Sequence, residues 1–473
     1  MTALHHVHNL MVVVSLTAGL WWALSRQRRP AVLEAFSVAA LVLAAVTVTV
    51  EGVRWQLVPW FVLALAVVAA AALRRFRPGR SRRWRRVVGR VALTVGLVAG
   101  GLALLTALVP SLPKPSGPHR VGSVVFRWTD ERRAETLSSA PNDRRQVVVQ
   151  AWYPTDTVEG DAVPYFEAQG RLPASIVGLP SWMFSSFGSV KTHALQSPRV
   201  STERRRWPVL FFSPGLSMPR ELYTALTTDL ASRGYVVMAV SNPYESGVSV
   251  LANGRVVGQT VHPDVMGPPP HPAIQRLIDI RTADSSFVLD QLSHLAQLDP
   301  ASPLVGRLDL GHVGFVGHSL GGATAVQVLA SDSRFKVGVD LDGKLFGAER
   351  TAHLEQPFLW IQSDGPQTAE YVQGRDGFFS GVRGGGALLL VKGSVHMSFS
   401  DAPSYTTSLG RSLLGSVASG SISVGDMTVM TGDAISAFVS PALGGRNGRS
   451  LDQVLHSHPT VRSELRVTAE STR

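Results

Sequence analysis

The stretch His312-Val313-Gly314-Phe315-Val316, followed by Gly317-His318-Ser319-Leu320-Gly321 and then Gly322-Ala323-Thr324-Ala325-Val326-Gln327-Val328-Leu329-Ala330, decides the reading of this chain. An apolar run of strand character passes through a glycine-flanked serine into a segment of helical character. Glycines on both sides let the backbone make a strained strand-to-helix turn, which lifts the serine hydroxyl above the sheet and frees the next amide to hold an anion. The five letters alone carry little information. The flanking strand and helix carry the argument.

A serine nucleophile needs a base to take its proton and a carboxylate to orient that base. The α/β-hydrolase fold supplies them in the chain order Ser, acid, His. Phe335 to Leu341 reads as a strand ending at Asp342, and Ala387 to Val391 as another running into Lys392-Gly393-Ser394-Val395-His396. Both lie beyond strand carboxyl ends, where an open parallel sheet collects its site. His396 is the one histidine behind a strand after Ser319, which makes it the candidate base. For the acid, Asp340, Asp342 and Asp364 all stand near strand ends, the last after Pro357-Phe358-Leu359-Trp360-Ile361-Gln362-Ser363. Spacing does not choose among them.

From about Val121 onward the chain resembles the plasma-type platelet-activating-factor acetylhydrolases and their bacterial relatives, serine esterases of the α/β-hydrolase fold. The matching pieces are Val147 to Pro154 (VVVQAWYP), Phe212-Ser213-Pro214-Gly215-Leu216, Asp229 to Tyr235 (DLASRGY), Gly317 to Gly322, Leu341-Asp342-Gly343 and Gly393-Ser394-Val395-His396. The resemblance implies Asp342 as the acid, no metal or organic cofactor, and lipid-like ester substrates with a short or oxidised acyl chain. Other chemistries open to the same triad are general esterase, amidase, thioesterase and polyester hydrolase activity. A degenerate, membrane-tethered binding module is the non-enzymatic alternative.

An oxyanion hole takes one amide after the nucleophile and another from the loop behind an earlier strand. Leu320 supplies the first. Trp207 to Ser213 reads as that earlier strand, and the turn at Pro214-Gly215 brings in the amide of Leu216. Relatives commonly carry His-Gly where this chain has Pro214-Gly215, and proline has no N–H to donate.

Residues 1–113 are of another kind. Apolar stretches at 9–24, 31–50, 55–73 and 87–109 approach or exceed the roughly 20 residues a helix needs to span hydrocarbon. They predict a bundle of about four transmembrane helices, with Trp21, Trp22, Trp55 and Trp60 near the interfaces. Arginines cluster at Arg26 to Arg29 and at Arg74 to Arg86, so the positive-inside rule predicts a multi-pass cell-membrane protein with its catalytic domain extracytoplasmic and membrane lipids as partners. This segment holds thirteen arginines against Glu34 and Glu51, an excess equal to the whole formal charge of +11. The rest of the chain is charge-balanced, which removes the nucleic-acid reading that a pI near 10.5 would invite.

A proline-rich linker at 114–120 separates the anchor from a catalytic domain at 121–473. There is no cysteine, hence no disulfide framework, thiol catalysis or Cys-based metal site. His5, His6 and His8 have no carboxylate cluster beside them to suggest a metal site. Tyr165 to Val200 mixes apolar and aromatic residues with glycine and proline, in the manner of an acyl-site rim or a packed peripheral helix. Pro243 to Pro272 reads as a long excursion, with Tyr244 and Glu245 after a strand, ahead of a helix over Ala273 to Leu298. His318, beside the serine on a tight turn, reads as a support residue, since such neighbours point away from the hydroxyl.

Overall fold

The computed structural model describes residues 110–168, 187–261, 272–407, 420–445 and 448–468, with 30–51, 54–63, 409–411 and shorter pieces of 12–109. The chain divides into two compact units: residues 1–109 with 182–186 and 405–413, and the remainder.

Among the described residues the larger unit contains a ten-stranded sheet. Its strands are β1 (Arg120–Ala134), β2 (Arg144–Thr155), β3 (Ala194–Gln196), β4 (Trp207–Ser213), β5 (Val236–Ser241), β8 (Leu308–His318), β9 (Phe335–Leu341), β10 (Phe358–Ser363), β11 (Gly386–Val391) and β12 (Val461–Val467). The order is β12-β11-β10-β9-β8-β4-β5-β2-β1-β3, while β6 (Ser249–Val250) and β7 (Val256–Val257) form a separate hairpin. From β11 to β5 every pairing is parallel, and antiparallel β12 and β2 flank that core. Parallel strands need crossovers, and these bring helices to both faces.

The strand sequences show why both faces are covered. In β4 every residue is buried; Val209 and Phe211 enter one apolar cluster while Leu210 and Phe212 enter the other. The same alternation runs through β10, with Phe358 and Trp360 opposite Leu359 and Ile361. One face receives the buried sides of α3 (Pro272–Ser293) and α4 (Leu320–Ser331), the other those of α2 (Thr224–Ser232) and α6 (Val424–Val439). Between β10 and β11 lies α5 (Ala369–Phe379), whose Phe378 and Phe379 pack on Trp360. The helix expected over Ala273 to Leu298 ends at Ser293, and a separate short turn covers Leu295–Leu298.

Residues 114–120 lie along α2. The Ser116 amide donates to Asp229 Oδ1 (2.7 Å) and the Gly117 amide to Ser232 Oγ (2.9 Å), and a Cβ on Gly117 would come within 2.3 Å of the Ser232 carbonyl oxygen.

The expected four-helix membrane bundle requires correction. The stretch 31–50 is helical, as α1 (Pro30–Glu51), but among the described residues no helix is long and apolar enough to cross a membrane. The bundle, the multi-pass cell-membrane location, the extracytoplasmic orientation and the partnership with membrane lipids fall with it. The expectation counted apolar letters. In the structure, Val12, Leu57, Trp60 and Leu63 are buried together with Leu43, Ala44 and Phe61 against them, so part of that apolar surface is spent within the unit. Much of 9–24, 55–73 and 87–109, the arginine cluster at 74–86 and His5, His6 and His8 lie outside the described residues.

Candidate active site

Ser319 occupies the turn between β8 and α4 with φ 56° and ψ −119°, in the left-handed half of conformational space that L residues seldom adopt. The turn is affordable only because its neighbours lack side chains. A Cβ on Gly317 would lie 1.9 Å from the Gly321 carbonyl oxygen, and one on Gly321 would lie 2.0 Å from that of Ser213. The Ser319 amide donates to Leu341 O (3.0 Å), which ties the turn to the end of β9. The α4 hydrogen-bond ladder begins with the Gly322 and Ala323 amides on Ser319 O, so the Leu320 amide precedes it.

Asp342 follows β9, also at positive φ (56°). Its Oδ1 accepts the Ser363 amide (2.7 Å), and its Oδ2 accepts both the Ser363 hydroxyl (2.8 Å) and His396 Nδ1 (2.7 Å). Burial pushes this carboxyl upward, but the hydrogen bond and charge of His396 and the two bonds from Ser363 outweigh it, so its pKa lies below the ordinary value. A carboxylate can only accept, so His396 carries a proton on Nδ1, the tautomer of imidazole in which Nε2 keeps its lone pair. The His396 side chain is 47% exposed and that of Asp342 only 5%, which leaves the ring open to a substrate and the acid closed to water.

The other two aspartates have different partners. Asp340 is fully buried, accepts the Gly343 amide at Oδ1 (2.6 Å), and has its pKa raised well above the carboxylate range by that burial. Asp364 accepts the Gly393 amide (3.0 Å) and donates its own amide to Ser394 O, so it braces the loop leading to His396 without touching the ring.

His318 is fully buried beneath His396, with ring centroids 4.6 Å apart. Its Nε2 lies 2.9 Å from His396 O and its Nδ1 2.8 Å from Tyr223 Oη. Desolvation, with the nearby His396 charge, pushes its pKa down to about 3, so the ring is neutral.

The Pro214-Gly215-Leu216 loop leaves β4 beside this cluster. The Gly215 amide donates to Tyr223 Oη (3.1 Å). From beneath, the guanidinium of Arg281 on α3 donates to Pro214 O (2.6 Å), Gly215 O (3.3 Å) and Ser213 Oγ (3.3 Å), and pairs with the buried carboxylate of Glu245. Among the described residues the Leu216 amide has no acceptor. Tyr223 and Arg281 were not candidates from the sequence. The signal for Arg281 was an arginine on the stripe Ile274, Leu277, Ile278, Arg281, Ser285, Val288, all buried in α3. Glu245 lies under the site rather than in it, and Tyr244 turns to Asp143 and Arg255.

Of the insert from Tyr165 to Val200, residues 169–186 lie outside the described part. Its ends meet as an aromatic group, with Phe166 and Phe187 stacked at 4.9 Å and Tyr165 edge-on to both. Tyr165 Oη donates to Asp401 Oδ2 (3.1 Å), and the Asp401 carboxylate also accepts the Thr224 (3.0 Å) and Ala225 (3.1 Å) amides at the start of α2. Asp401 lies five residues beyond His396.

The family model described as "Platelet-activating factor acetylhydrolase, isoform II" matches residues 108–252 and 277–440, more than half of the chain. The chain belongs to this family. The acetylhydrolase of Cavia porcellus is 27% identical over 322 residues, covering 62% of this chain and 69% of its own length. A probable 1-alkyl-2-acetylglycerophosphocholine esterase of Arthroderma benhamiae is 26% identical over 271 residues, covering 53% of this chain and 63% of its own. Among solved structures, a ferulic acid esterase from Streptomyces cinnamoneus superposes with a TM-score of 0.62 at 27% identity, covering 75% of this chain and 99% of that one. This acetylhydrolase-family chain thereby stands among the carboxylic ester hydrolases, and the mixed sheet fits the α/β-hydrolase superfamily.

Proposed function

We propose that the chain is a serine ester hydrolase acting on lipid-like esters with a short or oxidised acyl chain. The observation that carries this reading is the 2.7 Å bond between His396 Nδ1 and Asp342 Oδ2, made at the strand ends where the Ser319 turn also lies. Ser319 Oγ attacks the ester carbonyl carbon while His396 Nε2 takes its proton. The Leu216 and Leu320 amides hold the oxyanion. Collapse of the tetrahedral intermediate returns that proton to the departing alkoxide, and water, activated by the same imidazole, then releases the acid. Asp342 holds the ring in the tautomer this requires and stabilises the imidazolium.

The "acetyl" in the relatives' names supports a short acyl group, and their glycerophosphocholine and platelet-activating-factor substrates support a lipid alcohol. A second reading, a general ester hydrolase accepting hydroxycinnamoyl esters, is favoured by the ferulic acid esterase superposition. Hydrolysis by the full chain and by Ser319→Ala, on a phospholipid with an sn-2 acetyl group and on a feruloyl ester, tests both. Serine-dependent preference for the phospholipid is expected. Preference for the feruloyl ester selects the second reading, and activity equal in the two proteins overturns the serine mechanism. Hydrolysis by neither leaves the binding-module reading.

A further inference from the structure

Resting on that reading, we propose that Tyr223 and Arg281 are positioning residues that aim the Leu216 amide as an oxyanion donor, and that Tyr223 couples this loop through His318 to the backbone of the base, His396.

Pro214 has no N–H, so the donor geometry here is set by the two peptide groups that follow it. Both are held. The guanidinium of Arg281 takes the carbonyls of Pro214 and Gly215, and the Tyr223 hydroxyl takes the Gly215 amide. In a trans peptide the C=O and the next N–H point in opposite directions. Fixing Gly215 O on Arg281 therefore turns the Leu216 N–H away from the cation, where among the described residues it meets no acceptor. Flipping either peptide would strip a buried arginine or a buried tyrosine of its partner. Glu245 holds the guanidinium by two oxygens, so the fork itself is oriented.

The chain continues in one direction only. His396 O can only accept, so His318 carries its proton on Nε2 and its Nδ1 accepts the Tyr223 O–H, whose oxygen accepts the Gly215 N–H. One hydroxyl thus sits between the oxyanion loop and the loop bearing the base. A Cβ on Gly215 would meet both His318 Nδ1 and Tyr223 Oη at 3.2 Å, so the three groups are in close registry.

Tyr223→Phe in the full chain removes the hydroxyl and leaves the ring. The expected result is a kcat lowered about ten- to hundredfold with KM changed less than about threefold, and an equal loss of affinity for a short-chain alkyl trifluoromethyl ketone, which places an oxyanion on the serine adduct. An unchanged kcat, or a fall in kcat without the matching loss of ketone affinity, overturns the proposal. Should the variant fail to fold, nitrogen-15 spectra of the histidine-labelled wild type decide instead. A neutral His318 ring protonated at Nε2 supports the chain, and one protonated at Nδ1 overturns it. Wild-type protein that a phosphonate does not label at Ser319 would overturn the serine mechanism itself. Labelled wild type with a fully active Tyr223→Phe overturns the positioning role alone.

Discussion

Gly322 gives Asp340 the space its carboxyl group occupies: a Cβ on residue 322 would lie 1.9 Å from Asp340 Oδ1. That oxygen is already engaged by the Gly343 amide at 2.6 Å, so the carboxyl has no room to retreat. The first turn of α4 and the end of β9 are thereby pressed together around a buried acid. Gly322→Ala is expected to cost about 1–3 kcal/mol through overpacking. Urea denaturation of the variant beside wild type checks this, and a stability change within error would show that the contact yields.

Asp342 and Asp364 separate cleanly by mutation. Asp342→Asn reverses the preferred tautomer of His396 and is expected to lower kcat by about 10³–10⁴-fold. Asp364→Asn keeps an acceptor for the Gly393 amide and is expected to stay within about tenfold of wild type. Steady-state kinetics on a single ester distinguish them, and equal losses would contradict the pairing of His396 with Asp342.

The Leu216 amide is removable by proline. Leu216→Pro is expected to lower kcat by about 10²–10³-fold, the usual cost of one oxyanion donor, with little change in KM. A loss confined to KM would assign the loop to substrate binding instead.

Arg281 and Glu245 form a buried pair, so Arg281→Met is expected to cost about 3–5 kcal/mol by leaving a carboxylate buried without its cation. Adding Glu245→Met removes that charge and should recover much of the loss. Denaturation of the two variants measures it; additive losses would mean that the ion pair is not the reason.

Burial of His318 links stability to pH. Its folded pKa of about 3 is below the ordinary 6.5, so the folded state binds fewer protons than the unfolded one between those values. The contribution is full above pH 6.5 and declines as pH falls towards 3, at up to about 1.4 kcal/mol per pH unit. Denaturation midpoints at pH 7 and pH 5 should differ less in His318→Gln than in wild type.

The sequence exposed those parts of the site that depend on local backbone chemistry. Gly317, Ser319 and Gly321 announce their turn because few other residues survive at those contacts, and β4 and β9 were read at the bounds they have in the structure. Spacing does not choose among Asp340, Asp342 and Asp364, which differ in the partner a folded sheet brings to each; the family resemblance alone points to Asp342. Tyr223 and Arg281 escaped notice for the same reason: the Gly215 amide and the Pro214 carbonyl that they hold are backbone groups, which leave no mark in a sequence. The N-terminal region is illegible in the opposite sense, because apolar length records surface that a helix can give to lipid or bury against its neighbours without distinguishing the two.

Asp401 also ties together parts of the chain that are far apart in sequence. Its carboxyl group joins Tyr165, at the start of the insert, to the first turn of α2, and it lies on the segment that follows His396. The start of the insert, the first turn of α2 and that segment therefore share one anchor. Loss of the Tyr165 hydroxyl would loosen the segment after His396 as well as the start of the insert, although the two partners stand 236 positions apart in the chain.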